Sequence, residues 1–304
     1  MPEFGDPQMF RNVLENLQTG VYLIDREQKI VFWNSGAEHI TGYLRQDVVG
    51  RFCRTNILAP GEEDKTMIPQ AESALASVLR DGKSVDVDVA LCHKDGHRVP
   101  VRLRAAPIRN EHGSVIGAVE NFDESPSVSN WDRRQTRLAS YGCLDEMTGA
   151  LSHDFTRTRL RENLATYAEH RVPCAVLCIQ VDGMERLRAA YGPSMIPEAL
   201  RAAAQTLENS LRPTDCLGRW NEKQFVAVLS ECAEGDIRAV AERLKKMVNS
   251  SAIRWWGDTV SITASCGGAA AQPGDTIESI VSRSARALDE SLAASGNRVT
   301  VSNA

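Results

Sequence analysis

The chain has 304 residues with 42% hydrophobic and 25% charged side chains, and its formal net charge is −5. This length allows two domains that each bury a core, and the mild acidity gives no basic field to attract nucleic acid or an anionic membrane. No apolar run approaches the roughly 18 residues of a membrane span, and no signal peptide is evident, so we expect a cytoplasmic protein. The eight cysteines are scattered, which favours reduced thiols over a disulfide framework.

The first half of the chain predicts short strands, turns and helices. Residues 21–33 read as two strands around a polar turn, after which Asn34 begins a helix and Gly42 ends it. Residues 70–82 predict another helix, and two alternating segments around "KDG" predict a hairpin. "SVIGAVENFDE" predicts one more strand. The pattern indicates an antiparallel sheet with one packed face.

Four segments carry a family resemblance in this half: "LIDREQKIVFWNSGAEHITGY", "VVGR", "HKDGHRVPV" and "GAVENFDE". In this order they resemble a PAS domain, over roughly residues 8–125. The resemblance implies a sensor domain at 1–125 with a five-stranded antiparallel sheet and short helices. PAS domains hold haem, flavin, small metabolites or nothing, so no cofactor is predicted.

Three side chains are weighed as ligand contacts in this domain. Trp33 could flank a flavin, but a tryptophan that ends a core strand is typical of packing. His93 and His97 bracket the hairpin turn, where they could bind a metal ion or haem or simply be solvated.

The join between the halves changes in composition. A Ser/Pro-rich break at 124–129 precedes a stretch, 130–144, that predicts a short amphipathic helix with Trp131, Leu138 and Tyr141 on one side. We assign 126–143 as a connector helix. It could pair between two chains or pack on its own domain, and we expect a homodimer.

The second half predicts strands alternating with helices. Its segments are a buried strand "CAVLCIQV", a long helix "EALRAAAQTLENSLRPTDCLGRW" that breaks at Pro213, a turn and strand "NEKQFVAVLSE", a helix "DIRAVAERLKKMVNS", a strand "VSITASCGGAAA", a helix "ESIVSRSARALDESLAASG" and a closing "NRVTV". Cys174 and Cys178 would lie about 13 Å apart on the first strand, too far to share an ion, so we interpret them as core residues. Overall we predict an α+β, or mixed α/β, two-domain protein.

Three framing motifs in this half are similar to the GGDEF domain of the diguanylate cyclase family. Asp145-Glu-Met-Thr-Gly149 matches its opening "DxLTG", Arg219 and Phe225 match the ends of "RxGGDEF", and "NRV" at 297–299 matches its ending. The resemblance assigns residues 144–304 to this domain. It implies attack of one GTP 3′-hydroxyl on the α-phosphate of another, with metal ions held on carboxylates.

The turn itself departs from the family pattern. Asn221 and Glu222 stand at the two glycines, and Lys223 and Gln224 stand at the acidic pair. Further family positions for metal, guanine and phosphate are taken by Gln180, Arg188, Pro197, Leu292 and Gly296, while Asp182 is retained. From these losses we predict a degenerate turn with no metal bound and a chain that is not an enzyme.

A second family motif is present in full. Arg212-Pro-Thr-Asp215 matches the "RxxD" site that binds cyclic di-GMP in family members, and Arg243 stands where many of them carry a second arginine. Guanidinium forks suit phosphate and the Hoogsteen edge of guanine, and Asp215 can accept a guanine N–H. An arginine and an aspartate at a helix end can also simply cap it or pair with each other.

These observations support three functional hypotheses. The first is an inactive signalling protein that binds cyclic di-GMP at Arg212, Asp215 and Arg243 and relays its state to an unidentified protein partner. The second is an interaction scaffold that binds no nucleotide. The third is a diguanylate cyclase with a variant site that involves Glu222 or Asp182.

Overall fold

The structure, a computed structural model, describes residues 7–53, 76–124 and 142–302. Its internal contacts divide the chain into two units, Met1–Val128 and Ser129–Ala304. Trp131, Leu138 and Tyr141 of the predicted connector helix lie outside the described residues, as does the first part of the helix predicted at 70–82.

The first unit contains a five-stranded antiparallel sheet with the strand order β2-β1-β5-β4-β3, which confirms the predicted sheet. Its elements are α1 (Pro7–Glu15), β1 (Gly20–Asp25), β2 (Ile30–Trp33), α2 (Ser35–Thr41), α3 (Arg45–Val48), a helical segment α4 (76–81), β3 (Val85–Cys92), β4 (Arg98–Arg109) and β5 (Val115–Glu124).

Asn34 and Gly42 set the limits of α2, as the sequence predicts. The Asn34 Oδ1 atom accepts hydrogen bonds from the amides of Ala37 and Val21, both at 2.8 Å. Gly42 ends the helix with a φ of 72°, a conformation that a Cβ atom would strain. Asn34 therefore joins the start of the helix to β1.

Aromatic side chains form the centre of the first core. Trp33 is completely buried, its ring centroid lies 5.2 Å from that of Tyr22, and its Nε1 atom donates to the Tyr43 carbonyl at 3.1 Å. Phe122 packs edge-on against Tyr22. These contacts satisfy the indole N–H inside the core, so the interpretation of Trp33 as a packing residue is confirmed.

The second unit contains a five-stranded sheet with the order β12-β11-β6-β8-β7. Among the described residues, strands β11 and β12 pair in parallel and the other neighbouring strands of this sheet pair antiparallel. Its elements are α5 (His153–His170), β6 (Cys174–Val181), α6 (Met184–Tyr191), α7 (Met195–Ser210), β7 (Cys216–Arg219), β8 (Gln224–Ser230), α8 (Glu234–Asn249), β9 (Ala252–Trp255), β10 (Asp258–Ser261), β11 (Ala264–Ala270), α9 (Ile277–Ala293) and β12 (Val299–Val301).

Strand β6 runs through the middle of this sheet and is buried on both faces. Ala175 and Leu177 pack into one apolar cluster, whereas Cys174 and Cys178 pack into the other. The interpretation of the two cysteines as core residues is confirmed. Helices cover both faces of the sheet, which confirms the mixed α/β character of the unit.

Two segments differ from the sequence-based expectation. The predicted strand "VSITASCGGAAA" is divided between β10, which pairs with β9 in a separate hairpin, and β11. The turn of that hairpin is Trp256-Gly257 rather than an Asn-Gly or Asp-Gly pair, so its sequence signal is weak. Helix α7 ends at Ser210, and Cys216–Arg219 is a strand rather than part of the helix. No helix in the described ranges combines the length and apolarity needed to cross a bilayer.

Candidate functional site

Arg212 and Asp215 lie on the loop between α7 and β7. The Asp215 Oδ2 atom accepts a hydrogen bond from the Arg212 amide at 3.1 Å, and the Asp215 amide donates to the Arg212 carbonyl at 3.0 Å. The Asp215 Oδ1 atom accepts from the amide of Ser230, the last residue of β8, at 3.1 Å. Asp215 is buried, whereas Arg212 is exposed. The carboxylate thus fixes the loop that presents the Arg212 side chain.

Arg243 approaches the same loop from α8. Its Nη1 atom donates to the carbonyl of Ser210, the last residue of α7. Burial lowers the pKa of Arg243, and the charge of Asp215 opposes that change. Burial raises the pKa of Asp215, against the effect of the Arg212 and Ser230 amides and of both arginines. The three charged side chains therefore act on one another electrostatically.

These three residues line one open surface cavity with an enclosed volume of about 30 Å³. The remaining lining residues are Leu229, Ser230, Glu231, Cys232, Asp236 and Val240. Glu231, in the connection after β8, and Asp236, in the first turn of α8, belong to no sequence motif and were not predicted. The cavity combines two guanidinium groups with three carboxyl groups.

The turn between β7 and β8 is held by its own side chains. The Asn221 Oδ1 atom accepts from the amides of Lys223 at 2.9 Å and Gln224 at 3.0 Å, and Asn221 Nδ2 donates to Gln224 Oε1 at 3.1 Å. Arg219 donates to the carbonyl of Glu222 and lies 4.8 Å above the Phe225 ring. The backbone amides of Lys223 and Gln224 are thereby occupied within the turn.

The residues around Asp182 do not fit a magnesium ion held as the family resemblance implies. Asp182 Oδ1 accepts from the Ser265 hydroxyl at 2.7 Å, while Oδ2 accepts from the Thr263 hydroxyl at 2.8 Å and the Asn297 amide at 2.9 Å. Neutral Gln180 stands beside it at the position of the missing carboxylate. Asp182 therefore joins the end of β6 to the start of β11 and to the loop before β12.

The two histidines of the β3–β4 hairpin are packed rather than solvated. Their rings stack with centroids 4.3 Å apart, and His97 is 8% exposed. Burial lowers the pKa of His97 to about 3. The general tendency of turn histidines to be solvated fails here because His93 packs against Gly42 at the end of α2. Across 7–53, 76–124 and 142–302, no group of three or more His, Cys, Asp or Glu residues could hold a metal ion.

Comparison with known families identifies both units. The family model described as "Diguanylate cyclase, GGDEF domain" matches residues 143–298, and a PAS-domain model matches residues 18–123. The chain therefore belongs to the diguanylate cyclase GGDEF family and carries a PAS domain before its GGDEF domain. It is a PAS–GGDEF signalling protein of that family.

Curated relatives match at low identity. The probable diguanylate cyclase DgcE of Escherichia coli K12 is 24% identical over 264 residues, which cover 87% of this chain and 23% of the relative. Diguanylate cyclase A of Treponema denticola is 28% identical over 171 residues, which cover 55% of this chain and 46% of the relative. The chain thus spans less than half the length of either relative.

Solved structures show the same fold. The GGDEF domain of DgcB from Caulobacter crescentus, in complex with c-di-GMP, aligns with a TM-score of 0.51 and 20% identity over 54% of this chain and 94% of that domain. Diguanylate cyclase SiaD from Pseudomonas aeruginosa, in complex with its activator SiaC, aligns with a TM-score of 0.51 and 23% identity over 57% of this chain and 69% of that one.

These comparisons contradict the prediction that the chain is not an enzyme. The relatives are named diguanylate cyclases, and the family match extends over residues 143–298. The prediction inferred enzymatic status from side chains at the turn and at a few further family positions, whereas family membership is decided by the whole domain. The role of Asn221, Glu222, Lys223 and Gln224 as an altered turn rests on the sequence alone.

Proposed function

We propose that this chain binds cyclic di-GMP in the cavity of Arg212, Asp215 and Arg243, and that occupancy of this cavity is the signal it transmits. The observation that carries the proposal is the convergence of the three residues on one cavity. They come from the loop after α7 and from α8, about 30 positions apart in the chain.

The hydrogen-bonding groups of the cavity suit a guanine dinucleotide. Arg212 is exposed on a loop that Asp215 fixes, so its guanidinium group can meet a phosphate or the Hoogsteen edge of a guanine. The second guanidinium group, that of Arg243, is held near the end of α7 by the Ser210 carbonyl. The carboxyl groups of Asp215, Glu231 and Asp236 supply acceptors for guanine N–H donors.

Titration calorimetry of cyclic di-GMP into nucleotide-free protein tests the proposal. We expect saturable binding with a micromolar or tighter Kd, weakened about 10-fold or more in Arg212→Ala and in Arg243→Ala, which corresponds to roughly 1.4 kcal/mol. Arg201→Ala is the matched control, because Arg201 lies on α7 and pairs with Glu198 rather than lining the cavity. That variant should bind like the wild type.

The alternative of a scaffold without nucleotide makes a different prediction. If the titration shows no binding heat with the wild type or any variant, the scaffold hypothesis is favoured. Arg212 and Asp215 would then only stabilise the loop between α7 and β7. Equal weakening by Arg201→Ala would show that only the overall charge matters, which also contradicts a built site.

We also propose that the chain forms a homodimer. Helix α1 exposes Phe10 by 57% and Val13 by 53%, three residues apart on one helical face. Light scattering should give a dimer mass that falls toward the monomer in a Phe10→Ser, Val13→Ser double variant. A wild-type monomer at micromolar concentration would contradict the proposal.

A further inference from the structure

A hydrogen-bonded chain of three side chains lies in the core of the first unit, apart from the cavity of the GGDEF domain. The Tyr22 hydroxyl donates to Glu120 Oε2 at 2.6 Å, and its oxygen lies 3.2 Å from the Sγ atom of Cys53. None of the three residues is more than 1% exposed. The second carboxyl oxygen, Glu120 Oε1, is also buried and has no hydrogen-bond partner in the described part of the chain.

The direction of these hydrogen bonds follows from the number of protons. When Glu120 is ionised its carboxylate only accepts, so the single phenol proton of Tyr22 then points to Glu120. The phenol oxygen is then an acceptor for the thiol proton of Cys53. This arrangement links the sulfur atom to a base through one intervening hydroxyl group.

We propose that Cys53 is a site of oxidation by a small neutral hydroperoxide such as hydrogen peroxide, with Glu120 acting as its base through Tyr22. As sulfur attacks one peroxide oxygen, the thiol proton passes to Tyr22 and the Tyr22 proton passes to Glu120. The S–O bond forms while the O–O bond breaks, and the hydroxide that leaves takes a proton from the Glu120 carboxyl group. The products are cysteine sulfenic acid and water, so sulfur loses two electrons that the peroxide gains.

Other buried thiols of the chain differ in their surroundings. Burial raises the pKa of Cys178 to about 11 and that of Cys266 to about 12, because each would have to create a new buried charge. In the relay of Cys53, the negative charge moves from Glu120 to sulfur and no charge is added. Burial also raises the pKa of Glu120 to about 8, so the ionised form that the relay requires is the minor form at neutral pH and becomes the main form as the pH rises through about 8.

The surroundings also select the oxidant. Trp33 and Phe122 pack against Tyr22, and both are completely buried. Transfer of an ion into such apolar surroundings is strongly unfavourable, whereas a small neutral hydroperoxide loses only hydrogen bonds to water, which costs much less.

Sulfenic acid trapping tests the proposal on the full chain. The protein is exposed to hydrogen peroxide in the presence of a dimedone probe, and the label on each cysteine is followed by peptide mass spectrometry. We expect Cys53 to be labelled about 10-fold or more faster than Cys92, Cys178 and Cys266. Tyr22→Phe and Glu120→Gln should each slow the labelling of Cys53 by at least ~10-fold, at the low end of general-base effects.

Cys92 is the internal control, because it is a buried cysteine of the same unit. Labelling of Cys53 no faster than Cys92 would overturn the proposal, as would an unchanged rate in folded Tyr22→Phe protein. If Tyr22→Phe or Glu120→Gln accelerates both cysteines together, the group removed is structural and the proposal fails. Circular dichroism and amide exchange across β1 and β5 establish that each variant is folded.

Discussion

The side chain of Asp215 joins the loop after α7 to the end of β8, since its Oδ1 atom accepts a hydrogen bond from the amide of Ser230 at 3.1 Å. Its Oδ2 atom accepts from the Arg212 amide at the same distance. Asp215 is therefore a structural element of the proposed cyclic di-GMP cavity as well as part of its lining.

Substitutions at Asp215 and Arg212 should separate stability from binding. We expect Asp215→Ala to lower the free energy of unfolding by about 1–3 kcal/mol, because two backbone amides lose a partly buried acceptor. Arg212→Ala should change stability by no more than about 0.5 kcal/mol, as is usual for an exposed side chain. Urea unfolding of both variants beside the wild type measures this. Equal destabilisation by the two substitutions would contradict the assigned roles.

Glu120 should make the first unit less stable in alkaline solution. Burial raises its pKa from 4.5 to about 8, so folding takes up a proton between these values. The contribution of this group is fully present below about pH 4.5 and is lost as the pH rises through about 8, at a cost on the order of 5 kcal/mol. Its titratable neighbour Tyr22 has a pKa well above its usual value and stays protonated in this range.

Hydrogen exchange of the backbone amides in β1 and β5 reports this loss of stability. It is measured at several pH values and corrected for the intrinsic exchange rate. Glu120→Gln keeps the shape of the side chain and removes its charge, so its stability should vary much less between pH 5 and pH 9. The same pH dependence in the variant and the wild type would assign the effect to other groups.

Asp182 should contribute to the stability of the second unit. Asp182→Ala removes the acceptor of the Thr263 and Ser265 hydroxyls and of the Asn297 amide. We expect a loss of about 2–4 kcal/mol, because hydrogen bonds to an ionised acceptor are stronger than neutral ones. Asp182→Asn, which keeps an oxygen acceptor, should lose less. Denaturant unfolding, followed by the fluorescence of Trp255 and Trp220, compares the two variants. An Asp182→Ala variant as stable as the wild type would contradict this role.

Trp256 should be a destabilising residue in the β9–β10 hairpin. It is 93% exposed and has a φ of 49°, a conformation that a bulky side chain rarely adopts. Asparagine tolerates this conformation well, so Trp256→Asn should raise stability by about 0.5–1 kcal/mol. Thermal unfolding measures the change. A clear loss of stability would show that the indole ring makes a contact that outweighs the backbone strain.

Local signals in the sequence predicted much of the fold. Asn34 and Gly42 mark the two ends of α2 because one supplies a side-chain acceptor and the other tolerates a positive φ. The β9–β10 hairpin was missed because Trp256 stands where asparagine or aspartate would signal the turn. The burial of His97 depends on contacts with residues distant in sequence, which no local pattern reveals.

The candidate site was predictable only in part. The family resemblance singled out Arg212, Asp215 and Arg243, and the structure places all three on one cavity. Glu231 and Asp236 belong to no motif, since their place in the cavity depends on how β8 leads into α8. The proposed relay at Cys53 could not be predicted from the sequence, because it depends on the strand pairing that sets Tyr22 opposite Glu120. Side-chain identities at the turn and at a few other family positions were a poor guide to enzymatic class.

The most direct test of the proposed function is the Kd of cyclic di-GMP for the wild type, compared with Arg212→Ala and the control Arg201→Ala. We expect saturable binding with a micromolar or tighter Kd, which Arg212→Ala weakens by at least ~10-fold and Arg201→Ala leaves unchanged. Absence of binding to the wild type, or full binding to Arg212→Ala, would contradict it.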